Sequence, residues 1–273
     1  MLELPEANVL AAQFKTELTG KTVAKAVAAA SPHGFAFYCG DPQTYGPMLQ
    51  GKTVTGAKAH GGRAELELED MRLVFNDGVN FRYLKDISAA PEKHQLLIAF
   101  TDGTGFYCTV SMYAGFLAFP AGADMGFYDI VSREKPSPLS DAFSEDYFNS
   151  LFDAKTEKLS AKAFLATEQR IPGIGNGVLQ DILWESRISP KRKMNTLSPE
   201  ERHSLFENVK RLLKTMTDLG GRDTEKDFFS NAGGYETILS KKTIDKPCLN
   251  CGGPIKRMAY LGGNVYLCEN CQK

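Results

Sequence analysis

The chain has 273 residues, with 32 Lys and Arg against 33 Asp and Glu and a formal net charge of −1. That length can hold two modest domains and a small module, and a composition of 42% hydrophobic and 24% charged residues is ordinary for a globular protein. No apolar run approaches the ~20 residues of a membrane span, and the N-terminus lacks a signal segment. We therefore expect a cytoplasmic protein with no membrane partner. Nothing in the sequence signals oligomerisation, and we expect a monomer.

The first 130 residues predict one helix followed by β-structure. Residues 5–18 place apolar side chains at helical spacing, and Gly20 is a plausible stop. From about 21 to 130 the chain changes to short alternating runs, such as 64–69, separated by turn signals. This texture predicts a β-sandwich or partly closed barrel behind an N-terminal helix.

The rest of the chain predicts a linker, a helical region and a small C-terminal ribbon. A run rich in Pro, Ser and charge is typical of a linker. Helical periodicity follows it, with N-caps expected at Ser160 and at Ser198, which precedes Pro199. The predicted segments are a sandwich domain at 1–131, a linker at 132–141, a helical domain at 142–240 and the ribbon at 241–273.

Four cysteines near the C-terminus predict a metal site. Cys248, Cys251, Cys268 and Cys271 form C-x2-C-x16-C-x2-C. Each pair can chelate one edge of a tetrahedral Zn²⁺, and a hairpin between the pairs brings them together. The alternative is two disulfides. The remaining cysteines lie singly in apolar stretches, as buried free thiols do, which favours zinc. Four thiolates leave no open coordination position, so we expect one structural zinc ion that performs no chemistry.

A glycine-rich turn at 171–179 joins two of the predicted helices. A turn of this kind that leads into a helix exposes unpaired backbone N–H groups, which form a natural cradle for phosphate. The alternative is a tight helix connection in which glycine supplies a positive φ. The turn alone does not separate these interpretations.

Positive charge is concentrated in the C-terminal half. Residues 1–130 carry 10 Lys and Arg against 14 Asp and Glu, whereas residues 151–218 carry 12 against 9 and residues 241–273 carry 6 against 2. A polyanion would most plausibly dock on that half. The excess is small, so we expect a modest electrostatic contribution to binding.

Three features in this order carry a resemblance to a known family. They are Glu3-Leu4-Pro5-Glu6 at the N-terminus, Gly173-Ile174-Gly175-Asn176 in the helical region and the terminal cysteine pattern. With them the full-length chain resembles the formamidopyrimidine-DNA glycosylase/endonuclease VIII family of base-excision repair enzymes. The resemblance implies an α+β multidomain fold: an N-terminal helix on a two-sheet β-sandwich, a helix–two-turn–helix domain and a C-terminal β-hairpin zinc ribbon.

The resemblance also implies a change at the catalytic nucleophile. In that family a proline freed by removal of the initiator Met attacks C1′ of the flipped nucleotide to form a Schiff base, and the neighbouring Glu handles protons. Glu3 and Glu6 are present here, but Leu2 stands in place of proline. Leucine supplies no secondary amine, and its bulk opposes removal of Met1. The nitrogen of residue 2 is then an amide, which is not a nucleophile.

Other positions implied by the resemblance have changed as well. The hairpin lysine that grips phosphate aligns with Arg63, and Lys58 is the nearest alternative amine. The three residues that fill the hole left by the flipped base fall near Val79, at Ser111 or Met112, and at Tyr113, of which only Tyr113 could act as a planar wedge. The ribbon-tip arginine that clamps phosphate is Gly263 here, which removes a cation and a bidentate donor.

The features expected to bind a nucleic-acid backbone are largely retained. They belong to the glycine-rich turn, a basic run in the helical domain and a basic pair in the ribbon. The expected contact residues are Gly175, Asn176, Lys191, Arg192, Lys193, Lys256 and Arg257. Backbone contacts carry no base identity, so DNA is the first expectation and structured RNA the alternative.

Three functions therefore stay open. The first is a nucleic-acid-binding protein on the glycosylase scaffold that has lost the Schiff-base glycosylase and AP-lyase chemistry. The second is an active base-excision repair enzyme that uses the N-terminal amine or Lys58, with Glu3 as acid and base. The third is an RNA-binding or protein-interaction scaffold. Changes at several independent catalytic positions favour the first.

Overall fold

The computed structural model describes residues 1–273 and contains seven α-helices and nine β-strands. The helices are α1 (Leu4–Leu18), α2 (Tyr45–Leu49), α3 (Phe127–Glu134), α4 (Glu145–Ser150), α5 (Ala161–Ala166), α6 (Val178–Glu185) and α7 (Pro199–Asp218). The strands are β1 (Val23–Ala28), β2 (Ala36–Tyr38), β3 (Val54–His60), β4 (Arg63–Leu68), β5 (Met71–Leu84), β6 (Leu96–Phe100), β7 (Gly105–Pro120), β8 (Lys256–Tyr260) and β9 (Gly263–Leu267).

Two long strands build the predicted β-sandwich. β5 and β7 pair antiparallel along most of their lengths, with a register shift between Asp77 and Val79. On one side of this shift β7 also pairs with β6, which in turn pairs with β1. On the other side β5 pairs with β4, and β7 pairs with β2. Each long strand therefore belongs to both layers, as expected of a sheet that bends at a bulge. The shift places Asp77 and the segment opposite it, Ser111 to Tyr113, at the corner of the sandwich.

Helix α1 lies between two hydrophobic cores. Leu10 and Phe14 pack into the core of the sandwich, whereas Leu4 belongs to the core of the helical region. The helix begins with a capping box, in which the Glu3 side chain accepts from the backbone and the Glu6 side chain accepts from the Glu3 N–H. Its N-terminal turn is therefore fixed at the boundary between the two regions.

The predicted helix starts in the second half are confirmed, and the predicted linker is partly wrong. The Ser160 hydroxyl accepts from the Ala163 N–H at the start of α5, and Ser198 forms a capping box with Glu201 at the start of α7. The predicted linker at 132–141 begins inside α3. Within this helix Asp129 and Arg133, one turn apart, form an ion pair at 2.7 Å that contributes to its stability.

The C-terminal ribbon is a β-hairpin of β8 and β9, with the predicted antiparallel pairing. A small core that includes Ile255, Cys248 and Cys268 supports it, and Trp184 from α6 packs against that core. None of the helices in the structure combines the length and apolar character of a membrane span.

Candidate nucleic-acid interface and the altered nucleophile site

The four C-terminal cysteines form a zinc-binding site. Their Sγ atoms all lie within 4.8 Å of one another, with Cys248 and Cys271 at 3.8 Å and Cys251 and Cys268 at 3.5 Å. Zn–S bonds of about 2.3 Å in a tetrahedron require sulfur pairs about 3.8 Å apart, so the geometry fits Zn²⁺.

Outer hydrogen bonds hold the cysteine sulfurs in place. Trp184 Nε1 lies 3.4 Å from Cys248 Sγ, and the Asn250 side-chain amide lies 3.2 Å from Cys271 Sγ. Such donors orient thiolates and reduce their charge. The bound ion would join the two ends of the ribbon, since all four ligands lie within it, and would leave no position for a substrate.

A cleft of about 490 Å³ opens where the sandwich meets the helical region. Its lining includes Met1, Leu2 and Glu3 from the N-terminus and Gly173 to Gly175 from the glycine-rich turn. The Leu2 N–H donates to the Asp77 carbonyl at 2.6 Å, and the Leu2 side chain is buried. The nitrogen at the position that the resemblance assigns to the nucleophile is therefore an amide bound to the corner of the sandwich.

The Glu3 carboxylate occupies the N-terminus of α6. Its two oxygens accept from the Gly177 N–H at 2.8 Å and the Val178 N–H at 2.7 Å. The helix start that we expected to cradle phosphate thus already holds an anion from the chain itself, because a carboxylate satisfies the same orphan N–H groups. These two N–H groups are therefore not free to bind a phosphate, and phosphate binding by Gly175 and Asn176 stays a prediction.

Arg222 is a buried cation between the two retained glutamates. Its guanidinium donates to both Glu6 oxygens, at 2.9 and 2.8 Å, and lies 3.7 Å from Glu3. All three side chains are at most 4% exposed. Burial alone would raise the pKa of Glu6, but the charge and hydrogen bonds of Arg222 lower it. The same glutamates raise the pKa of Arg222 against the effect of burial.

This charged cluster explains two of the glycines. A Cβ at Gly175 would lie 2.6 Å from Glu3 Oε1, and one at Gly177 would lie 1.5 Å from Arg222 Nη1. Neither residue has a positive φ. Close approach of Glu3 and Arg222, rather than backbone conformation, therefore requires glycine at both positions.

The amines near the cleft are few. The Met1 ammonium forms an ion pair with Glu225. Lys58 lies outside the cleft, where it pairs with Glu67 at 2.7 Å, and no lysine lines the cleft. Lys226 lines a neighbouring cleft of about 340 Å³, to which Met1 also contributes. The structure does not bring Lys58 together with Glu3.

Several of the predicted phosphate contacts are already paired. Arg63 binds Asp129 at 3.0 Å, Arg192 holds Glu201 with two hydrogen bonds of 2.6 and 2.7 Å, and Lys256 binds Glu269 at 2.5 Å. Among the predicted contacts, Lys191, Lys193 and Arg257 are exposed and have no carboxylate partner.

Asn176 joins the glycine-rich turn to the ribbon. Its Nδ2 donates to the Asn264 carbonyl at 2.7 Å, while its Oδ1 is buried without a partner. Gln180, on α6, donates to that carbonyl at 3.2 Å and accepts from the Tyr266 N–H at 3.0 Å. A Cβ at Gly263 would lie 3.4 Å from the Asn176 amide. The ribbon tip thus packs on Asn176 where the resemblance implies an arginine.

Comparisons with known proteins agree with this architecture. Residues 135–227 match the family model described as the formamidopyrimidine-DNA glycosylase H2TH domain. The formamidopyrimidine-DNA glycosylase of Lactobacillus delbrueckii subsp. bulgaricus is 26% identical over the full length of both chains. Over its full length the chain is therefore similar to formamidopyrimidine-DNA glycosylases, and its helical region matches the H2TH domain of that family.

Further relatives in the glycosylase family support the fold. The Vibrio cholerae enzyme is 30% identical over 149 residues, which cover 53% of this chain and 54% of that one. The Lactococcus lactis Fpg in complex with an abasic site containing DNA superposes with a TM-score of 0.84 at 21% identity, over 99% of both chains. The MutM (Fpg) protein of Thermus thermophilus gives a TM-score of 0.80 at 21% identity, over 99% of this chain and 98% of that one.

Sequence reasoning missed the roles of Arg222, Asp77 and Gln180. Arg222 follows two glycines in the sequence, and its partner Glu6 precedes it by 216 residues. No local pattern connects residues so distant in the chain. The burial of Arg222 is revealed only by the packing of α1 against the segment after α7.

Proposed function

We propose that the protein binds DNA through the family scaffold and has lost the Schiff-base glycosylase and AP-lyase chemistry. The observation that carries the proposal is the Leu2 nitrogen, an amide that donates to the Asp77 carbonyl. An amide nitrogen has its lone pair delocalised into the carbonyl and does not attack C1′.

The other amines do not replace it. The Met1 amine pairs with Glu225 and lies one residue before the position that the family uses for its nucleophile. Lys58 lies on another surface, in an ion pair with Glu67. The Glu3 carboxylate, which would handle protons, instead accepts two backbone N–H bonds at the start of α6.

DNA binding is supported by the region that retains free cations. Lys191 and Arg257 are exposed and lack carboxylate partners, and Lys191 lies 5.6 Å from the centre of the Tyr260 ring in the ribbon. Exposed cations of this kind bind phosphates, and this binding does not require the lost nucleophile. The solved complexes of the Lactococcus lactis relative contain DNA.

Two measurements on one substrate test the proposal. Fluorescence anisotropy on a duplex with one abasic site should show binding that weakens with salt, because phosphate contacts release counterions. The same duplex, incubated with excess protein and run on a denaturing gel, should stay uncut beyond the rate without protein. Binding without cleavage supports the proposal. Cleavage, or the absence of binding, contradicts it.

A further inference from the structure

An exposed cluster of three aromatic rings lies on the sandwich beside the 340 Å³ cleft. We call Phe35, Phe37 and Tyr113 the aromatic platform; their exposed fractions are 51%, 51% and 50%. The Tyr113 ring contacts both phenylalanines, at 5.0 Å and 68° from Phe35 and at 6.4 Å and 19° from Phe37. Half-exposed rings that contact one another form an apolar patch, and such patches mark sites of interaction.

The backbone holds the platform rigidly. β2 pairs parallel with β7, with Ala36 opposite Ala114, and the Ala114 N–H donates to the Phe35 carbonyl at 2.9 Å. Alternate residues of a strand share a face. Phe35, which immediately precedes β2, and Phe37 on β2 therefore point outward together, and Tyr113 does so on β7. Rings fixed in this way lose little conformational entropy when a ligand stacks on them.

The segment beside Tyr113 is strained. Met112 has φ +88, a value that side-chain-bearing residues seldom adopt, and its side chain is 68% exposed. Strain of this kind persists where the surrounding structure requires it and clusters at functional sites. Here the strained residue precedes Tyr113, whose ring contacts Phe35 and Phe37 at the corner of the sandwich.

The platform continues into the cleft. Tyr113, Ser111 and Asn80 line the cleft together with Lys226, and the Asn80 amide donates to the Ser111 hydroxyl at 2.7 Å. An aromatic face beside an amide, a hydroxyl and an exposed ammonium matches the flat ring, polar edge and phosphate of a nucleotide. An apolar peptide or a second copy of the chain would leave the polar groups unmatched.

We infer that the aromatic platform binds an unpaired nucleobase of a single-stranded DNA segment by stacking. The inference rests on the proposed DNA binding and adds a ligand class to it. Phe35 and Phe37 extend the surface beyond Tyr113, for which the family resemblance implies a wedge within the duplex. Base–aromatic stacking tolerates any base, because every base has a π-face. The platform therefore favours single-stranded or gapped DNA over a fully paired duplex.

Substitutions that remove the ring but keep the apolar volume isolate the stacking. Phe37→Leu should weaken binding to a labelled oligothymidylate of about 16 nucleotides by about 5- to 100-fold in fluorescence anisotropy, as expected for one stacked base. Its salt dependence should stay unchanged, since no phosphate contact is lost. Tyr113→Phe should bind like the wild type, and Tyr113→Ala should weaken binding as Phe37→Leu does. The matched control is Phe127→Ala, which removes a 63% exposed ring outside both clefts.

Each result decides the inference. Equal oligothymidylate affinity for the wild type and Phe37→Leu overturns it. If the wild type binds the abasic duplex but not the oligothymidylate, the platform inference fails and the proposed function stands. If it binds neither, both fail. Unchanged affinity together with self-association that Phe37→Leu abolishes overturns the inference in favour of a contact between copies. Thermal unfolding of each variant confirms that the fold is intact.

Discussion

Two regions of the molecule treat their charged groups in opposite ways. At the boundary between the sandwich and the helical region, Glu3, Glu6 and Arg222 are buried and satisfy one another. In the helical region and ribbon, Lys191 and Arg257 are exposed and free of carboxylates. Charges paired internally are not available to a ligand, whereas free cations stay available to an anionic ligand. The scaffold can therefore keep a binding surface while the charged groups of its reaction site become structural.

Loss of zinc should have the largest effect on the binding surface. Cys248→Ser should abolish stoichiometric zinc, unfold the ribbon and weaken DNA binding by roughly tenfold or more, because structural zinc supplies the folding free energy of so small a module. Trp184, the single tryptophan, lies 3.4 Å from the Cys248 sulfur, so its emission should report the change. Zinc content, tryptophan fluorescence and anisotropy check this.

Cys39→Ser provides the matched control for the zinc prediction. Cys39 lies outside the four-sulfur cluster, and its substitution should leave zinc content and DNA affinity unchanged. If Cys248→Ser keeps both the metal and the DNA affinity, the four cysteines do not support DNA binding in the way proposed.

Removal of the buried cation should produce the next largest effect. Arg222→Met leaves Glu3 and Glu6 buried without a counter-charge, and we expect a loss of about 3–5 kcal/mol in the free energy of unfolding. Urea unfolding measures it. The double variant Arg222→Met, Glu6→Gln should recover part of the loss, since it removes one unpaired charge.

Arg211→Met is the surface control for Arg222. Arg211 pairs with Glu185 at 3.2 Å, and its side chain is 52% exposed. An exposed pair contributes about 0–1 kcal/mol. A loss for Arg222→Met no larger than that of the control would mean that Glu3, Glu6 and Arg222 do not form the cluster described.

The smallest effect concerns Asp181, which attaches α6 to the segment that leads into the ribbon. Its carboxylate accepts from the Ile238 and Leu239 N–H groups at 2.9 and 2.8 Å, and burial raises its pKa to about 6. The folded protein then holds a proton that the unfolded chain releases between pH ~4 and ~6, so this group's contribution to stability falls as pH rises through that window.

Asp181→Asn removes this titration. The stability of the wild type relative to Asp181→Asn should therefore fall from pH ~4 to pH ~7 by on the order of 2 kcal/mol, measured by urea unfolding at each pH. A constant difference for Asp181→Asn would show that the buried carboxyl does not titrate in this range.

The parts of the fold that sequence predicted are those with local causes. The C-x2-C spacing and the caps at Ser160 and Ser198 act over a few residues, and the structure confirms them. Features that depend on distant residues were not predictable. The glycine-rich turn revealed a helix start, but not that Glu3, 174 residues before Gly177, occupies it.

The beginning of the predicted linker shows the same limit. Its Pro, Ser and charged residues are typical of a connector, yet Arg133 lies in α3 and binds Glu65 as well as Asp129. A charged residue near a helix end looks solvated in sequence. Only the fold shows that its partner is a buried carboxylate on the neighbouring strand.

Borohydride trapping on a duplex with one abasic site tests the central claim most directly, with the intact mass of the protein recorded alongside. Borohydride reduces any Schiff base between a protein amine and C1′ to a stable bond. The account predicts no covalent adduct under conditions in which anisotropy shows the duplex bound. An adduct that peptide mapping assigns to the N-terminus, Lys58 or Lys226 would contradict it and show that an amine still performs the family's chemistry.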